Sequence, residues 1–402
     1  MDGMMAQSER QTWADASAAP AVARLTLTDF RSYAALDLET EGALMVLSGP
    51  NGAGKTNLLE ALSYLVPGRG LRGARLGDVA RRESGDAPET PARSWAVAAR
   101  VATDGHEVRL GTGLDLGDDG RERRIVRIDG ETASNQASLG AHLAMVWLTP
   151  QMDGLFAASG GDRRRFLDRL VFAGDAAHAG RVTAYDNAAR ERLKLLSGER
   201  APDAHWLAAL EATMAEKGIA VAAARLALVE ALAALAAEGA GPFPGAHLTL
   251  AGEVEGWLAV GPALEAEERL KAALAQSRGE DAQARRTTRG AQRSDLLVRH
   301  LPKNRPAADC STGEQKALLI GIVLAHAGLR ARERGAVPLL LLDEVAAHLD
   351  ADRREALFGR IVEMGAQAWL TGTDATLFQP LAGHARFGHV ADGCITSEGH
   401  RP

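Results

Sequence analysis

The chain has 402 residues, of which 46% are hydrophobic, 24% are charged and 4% are aromatic, and its formal net charge is −6. This composition is typical of a globular protein, and a chain above about 250–300 residues usually divides into domains, so we expect two structural units. The negative net charge excludes a globally basic, nucleic-acid-coating protein. Any contact with DNA must therefore come from local clusters of arginine.

Cysteine usage and the apolar segments favour a cytoplasmic protein. Cys310 and Cys394 are far apart and lack the spacing of metal ligands, which is typical of a reduced compartment. Residues 1–22 contain acidic side chains and no apolar signal-peptide core, so we expect a disordered tail. The apolar stretch 218–241 could span a bilayer by length, but its charged residues at helical spacing favour a soluble amphipathic helix. We expect no contact with a membrane.

Residues 49–57 read GPNGAGKTN and contain the complete pattern G-x-x-x-x-G-K-[ST] of a phosphate-binding loop. They follow the apolar run 43–48, which predicts a strand, and precede a helical pattern, which favours a P-loop over an ordinary glycine-rich turn. In such a loop the backbone N–H groups surround the phosphates of ATP, Lys55 neutralises their charge and Thr56 binds Mg²⁺. The predicted nucleotide-binding residues of this loop are Gly49, Pro50, Asn51, Gly52, Ala53, Gly54, Lys55, Thr56 and Asn57.

Strand and helix patterns follow the loop in separate blocks. Residues 94–130 alternate apolar and polar side chains around Gly-Asp and Asp-Gly turns, which predicts antiparallel strands. The run MVWLTPQ predicts another strand that ends near Gln151, whose amide could reach the metal or the attacking water. From 161 to 285 the pattern becomes helical and rich in alanine. We therefore predict a helical lobe inserted between two parts of the nucleotide-binding domain.

The apolar run VPLLLL, residues 337–342, is followed directly by Asp343 and Glu344. A continuous apolar run favours a strand buried on both faces of a parallel sheet, and ligands bind at the carboxyl end of such strands. We predict that Asp343 holds Mg²⁺ through water and that Glu344 orients or deprotonates the hydrolytic water. An acidic turn after a strand is common, but the complete P-loop in the same chain favours an ATPase.

The segment STGEQ, residues 311–315, begins a long helical pattern. A serine with a glutamate three residues later predicts an N-cap and a capping box, and the same helix start also favours anion binding. Together with the P-loop and the acidic pair, the segment resembles the signature of ABC-type ATPases, which contacts the nucleotide bound to the other subunit. The resemblance implies that Ser311 and Gly313 contact ATP across an ATP-dependent homodimer. It also implies that Glu314 caps its helix and that Asp350 lies at the dimer interface.

ABC-type ATPases usually carry a histidine after the strand that follows the acidic pair. Here the segment AWLTGTD contains no histidine, and it offers Thr371 or Thr373 in that place. These two threonines are the candidates for the switch residue.

Longer segments narrow the family. LTDFRSYAALDLE and LSGPNGAGKTNLLEALSYLVPGRGLR strongly resemble the start of the RecF family of bacterial recombination mediators. LTPQMDGLFAASGGDRRRFLDRL, TRGAQRSDLLV and CSTGEQKALLIGIVLAHA are similar to its internal blocks. The resemblance implies an α/β fold, in which an ABC-type ATPase head has a P-loop sheet core, an antiparallel β subdomain and an inserted α-helical lobe. The expected domains are the disordered tail (1–22), the N-terminal part of the ATPase domain (23–160), the helical lobe (161–285) and the C-terminal part with the signature and the acidic pair (286–402).

The same resemblance implies a function on DNA. It implies dimerisation with ATP and Mg²⁺ on gapped DNA or single-strand/duplex junctions, slow DNA-stimulated ATP hydrolysis, and work with RecR and RecO in loading RecA. It further implies that Arg72 approaches phosphate or DNA. Arginine clusters at 121–127, 163–169 and 285–293 are candidates for sequence-independent contacts with DNA phosphates.

Two other functions share some of these motifs. A nucleotide-binding subunit of an ABC transporter would use the same P-loop, signature and acidic pair, but the FRSY opening and the helical lobe count against it. A structural clamp would use ATP only to hold subunits together, whereas Glu344 predicts hydrolysis.

Overall fold

The computed structural model divides the chain into two compact units, residues 1–153 with 327–402, and residues 154–326. The predicted tail lies outside the described residues up to residue 19, and the first strand begins at Ala21. Residues 286–326 belong to the second unit by their contacts, whereas the sequence analysis assigned these residues to the ATPase domain. The functional domain boundaries stay a prediction. The structure describes residues 20–83, 85, 93–103, 105–117, 121–198 and 203–398.

The described residues form fifteen strands and ten α-helices. The strands are β1 (Ala21–Phe30), β2 (Tyr33–Glu39), β3 (Leu44–Ser48), β4 (Ala96–Thr103), β5 (His106–Leu116), β6 (Glu122–Ile128), β7 (Glu131–Thr132), β8 (Met145–Leu148), β9 (Ala246–Ala251), β10 (Asp295–His300), β11 (Arg305–Pro306), β12 (Leu339–Leu342), β13 (Ala368–Gly372), β14 (Ala385–Ala391) and β15 (Cys394–Glu398). The helices are α1 (Lys55–Ser63), α2 (Leu76–Val79), α3 (Gly160–Phe172), α4 (His178–Leu196), α5 (Ala204–Glu238), α6 (Glu253–Val260), α7 (Ala263–Gln276), α8 (Arg278–Ala284), α9 (Thr312–Arg334) and α10 (Ala351–Glu363).

A mostly parallel sheet forms the centre of the first unit, with strand order β15-β14-β3-β13-β12-β8. The five strands from β14 to β8 run parallel, and β15 pairs antiparallel with β14. β3, β12 and β13 are buried along their whole length, and for β12 the continuous apolar run predicted this burial on both faces. Their carboxyl ends therefore meet at one edge of the sheet, where the P-loop and the acidic pair begin.

A second sheet of the first unit is antiparallel, with strand order β2-β1-β4-β5-β6-β7. This confirms the antiparallel strands predicted for residues 94–130. The buried side chain of Gln367, just before β13, ties this sheet to the central one. Its amide oxygen accepts a hydrogen bond from the Val22 amide at 2.7 Å, and its nitrogen donates to the carbonyls of Val22 and Ala43 at 2.9 and 3.1 Å.

The long helix α5 lies at the centre of the second unit. It has the length and apolar composition of a membrane span. Its side chains Met214, Ile219 and Val221 belong to a buried cluster that also contains Tyr185 and Leu270. Apolar side chains along this helix therefore contribute to the core of the unit.

The helical pattern predicted for 161–285 is interrupted by β9, which pairs antiparallel with β10. Along β9 the residues alternate between buried and exposed, with Leu248 and Leu250 buried. A period of two places alternate side chains on one face of a sheet. The short alternating run, next to a much longer helix, is the sequence signal for this strand.

A buried group of charges joins three helices of the second unit. Arg225 of α5 donates two hydrogen bonds of 2.8 Å to the carboxylate of Asp168 in α3. His178 of α4 lies 2.8 Å from the same carboxylate. Burial raises the pKa of Asp168, but the hydrogen bonds from His178 and Arg225 outweigh it and hold that pKa below its usual range.

Candidate active site

The loop between β3 and α1 has a backbone that requires glycine. Gly49 and Gly54 have φ angles of 144° and 112°, which side-chain-bearing residues rarely adopt. A Cβ at Gly49 would lie 2.2 Å from the carbonyl oxygen of Val390, and a Cβ at Gly54 would lie 2.7 Å from the Ser32 hydroxyl. Both positions therefore exclude a side chain by conformation and by space.

Lys55, the first residue of α1, is directed back at its own loop and is only 5% exposed. Its Nζ donates to the carbonyls of Gly49 at 2.7 Å and Pro50 at 3.0 Å, and it lies 3.5 Å from a carboxylate oxygen of Glu344. A buried cation beside the N-terminus of a helix favours the binding of an anion there. Elsewhere in the loop, Asn51 and Gly52 are exposed and Ala53 is buried.

Two hydroxyl groups converge on the carboxylate of Asp343. Thr56 Oγ1 lies 2.9 and 3.0 Å from its two oxygens, and Thr371 Oγ1 donates at 2.7 Å. The described residues contain no group of three or more His, Cys, Asp and Glu side chains that could hold a metal. Hydroxyl and carboxylate oxygens suit Mg²⁺, which proteins usually hold with one or two side chains together with phosphate oxygens. Thr56 and Asp343 fit that donor set.

Glu344 follows Asp343 and turns sharply out of β12. Its φ and ψ are 51° and 26°, in the left-handed region, and its side chain is 23% exposed. The sequence separates Thr56 from Asp343 by 287 residues, yet they are hydrogen-bonded. The structure thus brings the predicted P-loop and acidic pair together within one unit.

Two other predicted site residues have local contacts. Gln151 is exposed and accepts a hydrogen bond from Thr149 at 3.3 Å. Asp350 is the N-cap of α10 and accepts a hydrogen bond from the Arg353 amide at 2.8 Å. The role of Gln151 at a metal or water, and that of Asp350 at a dimer interface, stay predictions.

The signature segment lies in the second unit and begins α9. Ser311 and Glu314 form the predicted capping box, because the Ser311 amide donates to Glu314 at 3.0 Å and the Glu314 amide donates to the Ser311 hydroxyl at 3.4 Å. This confirms that Glu314 caps its helix. Lys303 also forms an ion pair with Glu314, and these hydrogen bonds from Lys303 and Ser311 lower the pKa of Glu314 to about 2. Ser311 and Gly313 are exposed.

Arg72 forms hydrogen bonds with side chains of α1, the helix that follows the P-loop. It donates to the fully buried carboxylate of Glu60 at 2.6 Å and to the Asn57 side chain at 2.9 Å. Glu60 also accepts two hydrogen bonds from Arg31, at 2.9 and 2.8 Å, and Asn57 donates to Ser32 at 3.0 Å. The FRSY opening, Arg72 and the first turns of α1 thus form one polar network. The sequence predicted a role for Arg72 but not this network.

The three arginine clusters differ in how they are used inside the protein. In the 163–169 cluster, Arg163 pairs with Asp295 at 2.6 Å and Arg164 donates to a backbone carbonyl. In the 121–127 cluster, Arg124 is half-buried and donates to three carbonyls of the segment that follows α1. The 285–293 cluster has several exposed members, which are Arg285, Arg286, Arg289 and Arg293.

Comparison with known sequences places most of the chain in one family. Residues 21–395 match the RecF/RecN/SMC N terminal domain. The chain is 50% identical over 377 residues to the DNA replication and repair protein RecF of Mesorhizobium japonicum, which covers 93% of this chain and 97% of that protein. It is 52% identical over 391 residues to the protein of the same name from Caulobacter sp. strain K31, with coverages of 94% and 98%.

Solved structures share the fold. The recombination mediator protein RecF of the RecFOR pathway, solved as RecF-ATP, matches with a TM-score of 0.80 and 20% identity over 95% of this chain and 99% of that one. The SmcHead bound to the C-winged helix domain of ScpA matches with a TM-score of 0.52 and 18% identity over 94% and 96%. These likenesses confirm the predicted α/β, ABC-type ATPase fold.

Proposed function

The chain belongs to the RecF family, and on this basis we propose that it is an ATPase which binds ATP and Mg²⁺, dimerises on DNA and thereby mediates recombination. Family membership confirms the predicted role in DNA replication and repair, and it argues against the alternative of an ABC-transporter subunit. The observation that carries the ATPase proposal is the convergence of Lys55, Thr56, Asp343 and Glu344 at one sheet edge.

Each of these side chains has a chemical role in the proposal. Lys55 exchanges its carbonyl partners for the β- and γ-phosphate oxygens, while backbone N–H groups of the loop, other than at Pro50, surround the phosphates. Thr56 and Asp343 hold Mg²⁺, which supplies charge neutralisation on the phosphates. Glu344 orients or deprotonates the attacking water, and Gln151 assists at the metal or the water.

The signature acts across a homodimer in this proposal. Ser311 and Gly313 are exposed at the start of α9, where backbone N–H groups and the helix dipole favour a phosphate. They contact ATP held by the partner protomer, and Asp350 lies at the same interface. ATP therefore joins the subunits, and its hydrolysis separates them.

The proposed DNA contacts are independent of base sequence. Exposed arginines of the 285–293 cluster contact phosphates at gaps or single-strand/duplex junctions, and a dimer presents two such clusters. Because solved RecF belongs to the RecFOR pathway, RecR and RecO are the proposed partners in loading RecA. The proposed location is the cytoplasm, and the proposed hydrolysis is slow and stimulated by DNA.

ATP turnover and mass by light scattering, each measured with and without gapped DNA, test this function. We expect ATP to shift the mass from monomer to dimer and gapped DNA to raise turnover, with blunt duplex of equal length as the control. A dimer that forms with ATP but never hydrolyses it would indicate the structural clamp instead. ATP binding with no effect of DNA on mass or turnover would contradict the proposal.

A further inference from the structure

The hydroxyl of Thr371 lies between the two acidic residues of the active site and is fully buried. Its Oγ1 donates to Asp343 at 2.7 Å and accepts a hydrogen bond from the backbone N–H of Glu344 at 3.0 Å. A threonine hydroxyl has one proton to donate. Since the Glu344 amide occupies a lone pair of Oγ1, the proton is assigned to the carboxylate.

Strand register explains this placement. β12 and β13 are parallel neighbours, and Leu342 pairs with Leu370. Asp343, directly after β12, and Thr371, the next residue of β13, therefore lie at the same carboxyl edge of the sheet. On its other side β13 pairs with β3, where Thr371 is level with Leu47, just before the P-loop. Thr371 thus stands between the strand of the acidic pair and the strand of the P-loop.

Glu344 needs a contact of this kind because of its backbone. Its left-handed conformation, with φ of 51°, is rare for residues with a side chain and persists where neighbouring groups hold it. The hydrogen bond from the Glu344 amide to Thr371 stabilises this left-handed conformation. It fixes where the Glu344 side chain leaves the strand, and that carboxylate lies 3.5 Å from Lys55.

We propose that Thr371 is a positioning residue of the ATPase reaction, whose single hydroxyl sets both the carboxylate of Asp343 and the backbone of Glu344. The proposal rests on the proposed ATPase function. Asp343 also accepts a hydrogen bond from Thr56, so one network connects P-loop, acidic pair and β13. Hydrogen bonds that form a buried network polarise and strengthen one another. Loss of the Thr371 hydroxyl, at the centre of this network, therefore disturbs both acidic residues.

Two matched pairs of side chains isolate the hydroxyl. Wild type and Thr371→Val have nearly the same shape and differ by the hydroxyl, and Thr371→Ser and Thr371→Ala differ by one oxygen atom. The measurements are turnover at saturating ATP and Mg²⁺, ATP affinity by calorimetry with and without Mg²⁺, and the melting temperature. Because the alanine and serine variants both lack the methyl group of threonine and differ only in the hydroxyl oxygen, their comparison stands even where Thr371→Val does not fold.

We expect turnover to fall about 10-fold or more in the valine and alanine variants, the scale of one lost hydrogen bond to a charged group, and serine to restore most of it. ATP affinity without Mg²⁺ should stay near wild type, while the gain in affinity from Mg²⁺ should shrink in the two variants without the hydroxyl.

A purely structural threonine predicts a different result. The variants would then have lower melting temperatures. Below those temperatures they would show wild-type turnover and a wild-type gain in ATP affinity from Mg²⁺, and this result would overturn the proposal. Serine turnover as low as that of alanine would overturn it as well. Absence of turnover in the wild type would instead contradict the ATPase function, and the Mg²⁺ dependence of ATP binding would still decide whether Thr371 positions Asp343.

Discussion

Lys55 donates to two neutral carbonyl oxygens, and among the described residues its nearest carboxylate oxygen is 3.5 Å away on Glu344. That distance exceeds the usual length of a charge-assisted hydrogen bond, about 2.7–2.9 Å. The cation is therefore held in place without a close ion pair to break. Arrival of a phosphate would replace two neutral acceptors with charged ones, and we expect this exchange to supply binding energy.

Replacing Lys55 with alanine tests that exchange. We expect ATP binding to weaken by roughly 1.5–3 kcal/mol, the net value of a hydrogen bond to a charged group. Isothermal calorimetry measures the affinity, and Lys217→Ala, at an exposed ion pair with Glu216 on α5, is the matched control. Equal affinity of the Lys55→Ala variant and the control would contradict the placement of the phosphates beside Lys55.

At the scale of elements, the start of α9 combines a negative charge with a proposed phosphate contact. Glu314 lies three residues after Ser311, and its low pKa of about 2 keeps it charged at neutral pH. Lys303, in the turn between β10 and β11, forms an ion pair with this carboxylate. If ATP of a partner protomer binds here as proposed, the pairing offsets a charge that would otherwise repel its phosphates.

Lys303→Met should therefore weaken the ATP-dependent dimer several-fold, because Glu314 keeps its charge and loses its partner. Adding Glu314→Gln should restore the dimer, since glutamine caps the helix without a charge. Sedimentation with ATP and Mg²⁺ measures the dimer. If the double variant dimerises no better than Lys303→Met alone, the charge of Glu314 does not oppose the nucleotide.

The buried pair of Asp168 and Arg225 predicts an acid-sensitive contribution to stability. The pKa of Asp168 in the folded protein is lower than in an unfolded chain, about 3.9. Its contribution is thus fully present above about pH 4 and is lost as pH falls through the lowered pKa. Asp168→Asn should cost about 3–5 kcal/mol at pH 7, because Arg225 stays buried without the carboxylate that accepts two of its hydrogen bonds.

Urea unfolding at a series of pH values measures this effect. The difference between wild type and Asp168→Asn should narrow below about pH 4, where the carboxylate of the unfolded wild-type chain gains its proton before that of the folded protein does. A difference that stays constant with pH would show that packing, rather than charge, causes the loss.

Local patterns were sufficient for the elements that carry the active site. The apolar runs of β3 and β12 predicted strands, that of β12 one buried on both faces, and the adjoining GPNGAGKTN and Asp343-Glu344 predicted the sheet edge that is proposed to bind the nucleotide. The capping box of Ser311 and Glu314 was also predictable, because both partners lie within one helical turn.

Contacts between distant residues were not predictable from the same patterns. Gln367 is polar, and its hydrogen bonds to Val22 and Ala43, 345 and 324 residues away, explain its burial. Thr371 was one of two candidate threonines, and the register of β12 against β13 distinguishes it from the exposed Thr373. The strand β9 has six residues, a short signal beside a helix of thirty-five.

For the whole molecule, the residues proposed to act on one ATP are divided between the two compact units. The P-loop and Glu344 belong to the first, whereas Ser311 and Gly313 belong to the second. If ATP is enclosed between protomers, the dimer persists while the γ-phosphate remains. Hydrolysis then sets how long the dimer stays on DNA.

Glu344→Gln tests this coupling, because glutamine keeps the shape of the side chain but cannot accept a proton. We expect turnover to fall about 100-fold or more, in line with loss of a general base, and ATP-bound dimers to accumulate. Since two protomers hold DNA jointly, the variant should also leave gapped DNA more slowly in ATP, with no such difference in ADP. Stopped-flow dissociation of a labelled gapped duplex, with excess unlabelled competitor, measures the rate. Equal dissociation rates of variant and wild type in ATP, with hydrolysis lost, would separate ATP turnover from DNA release.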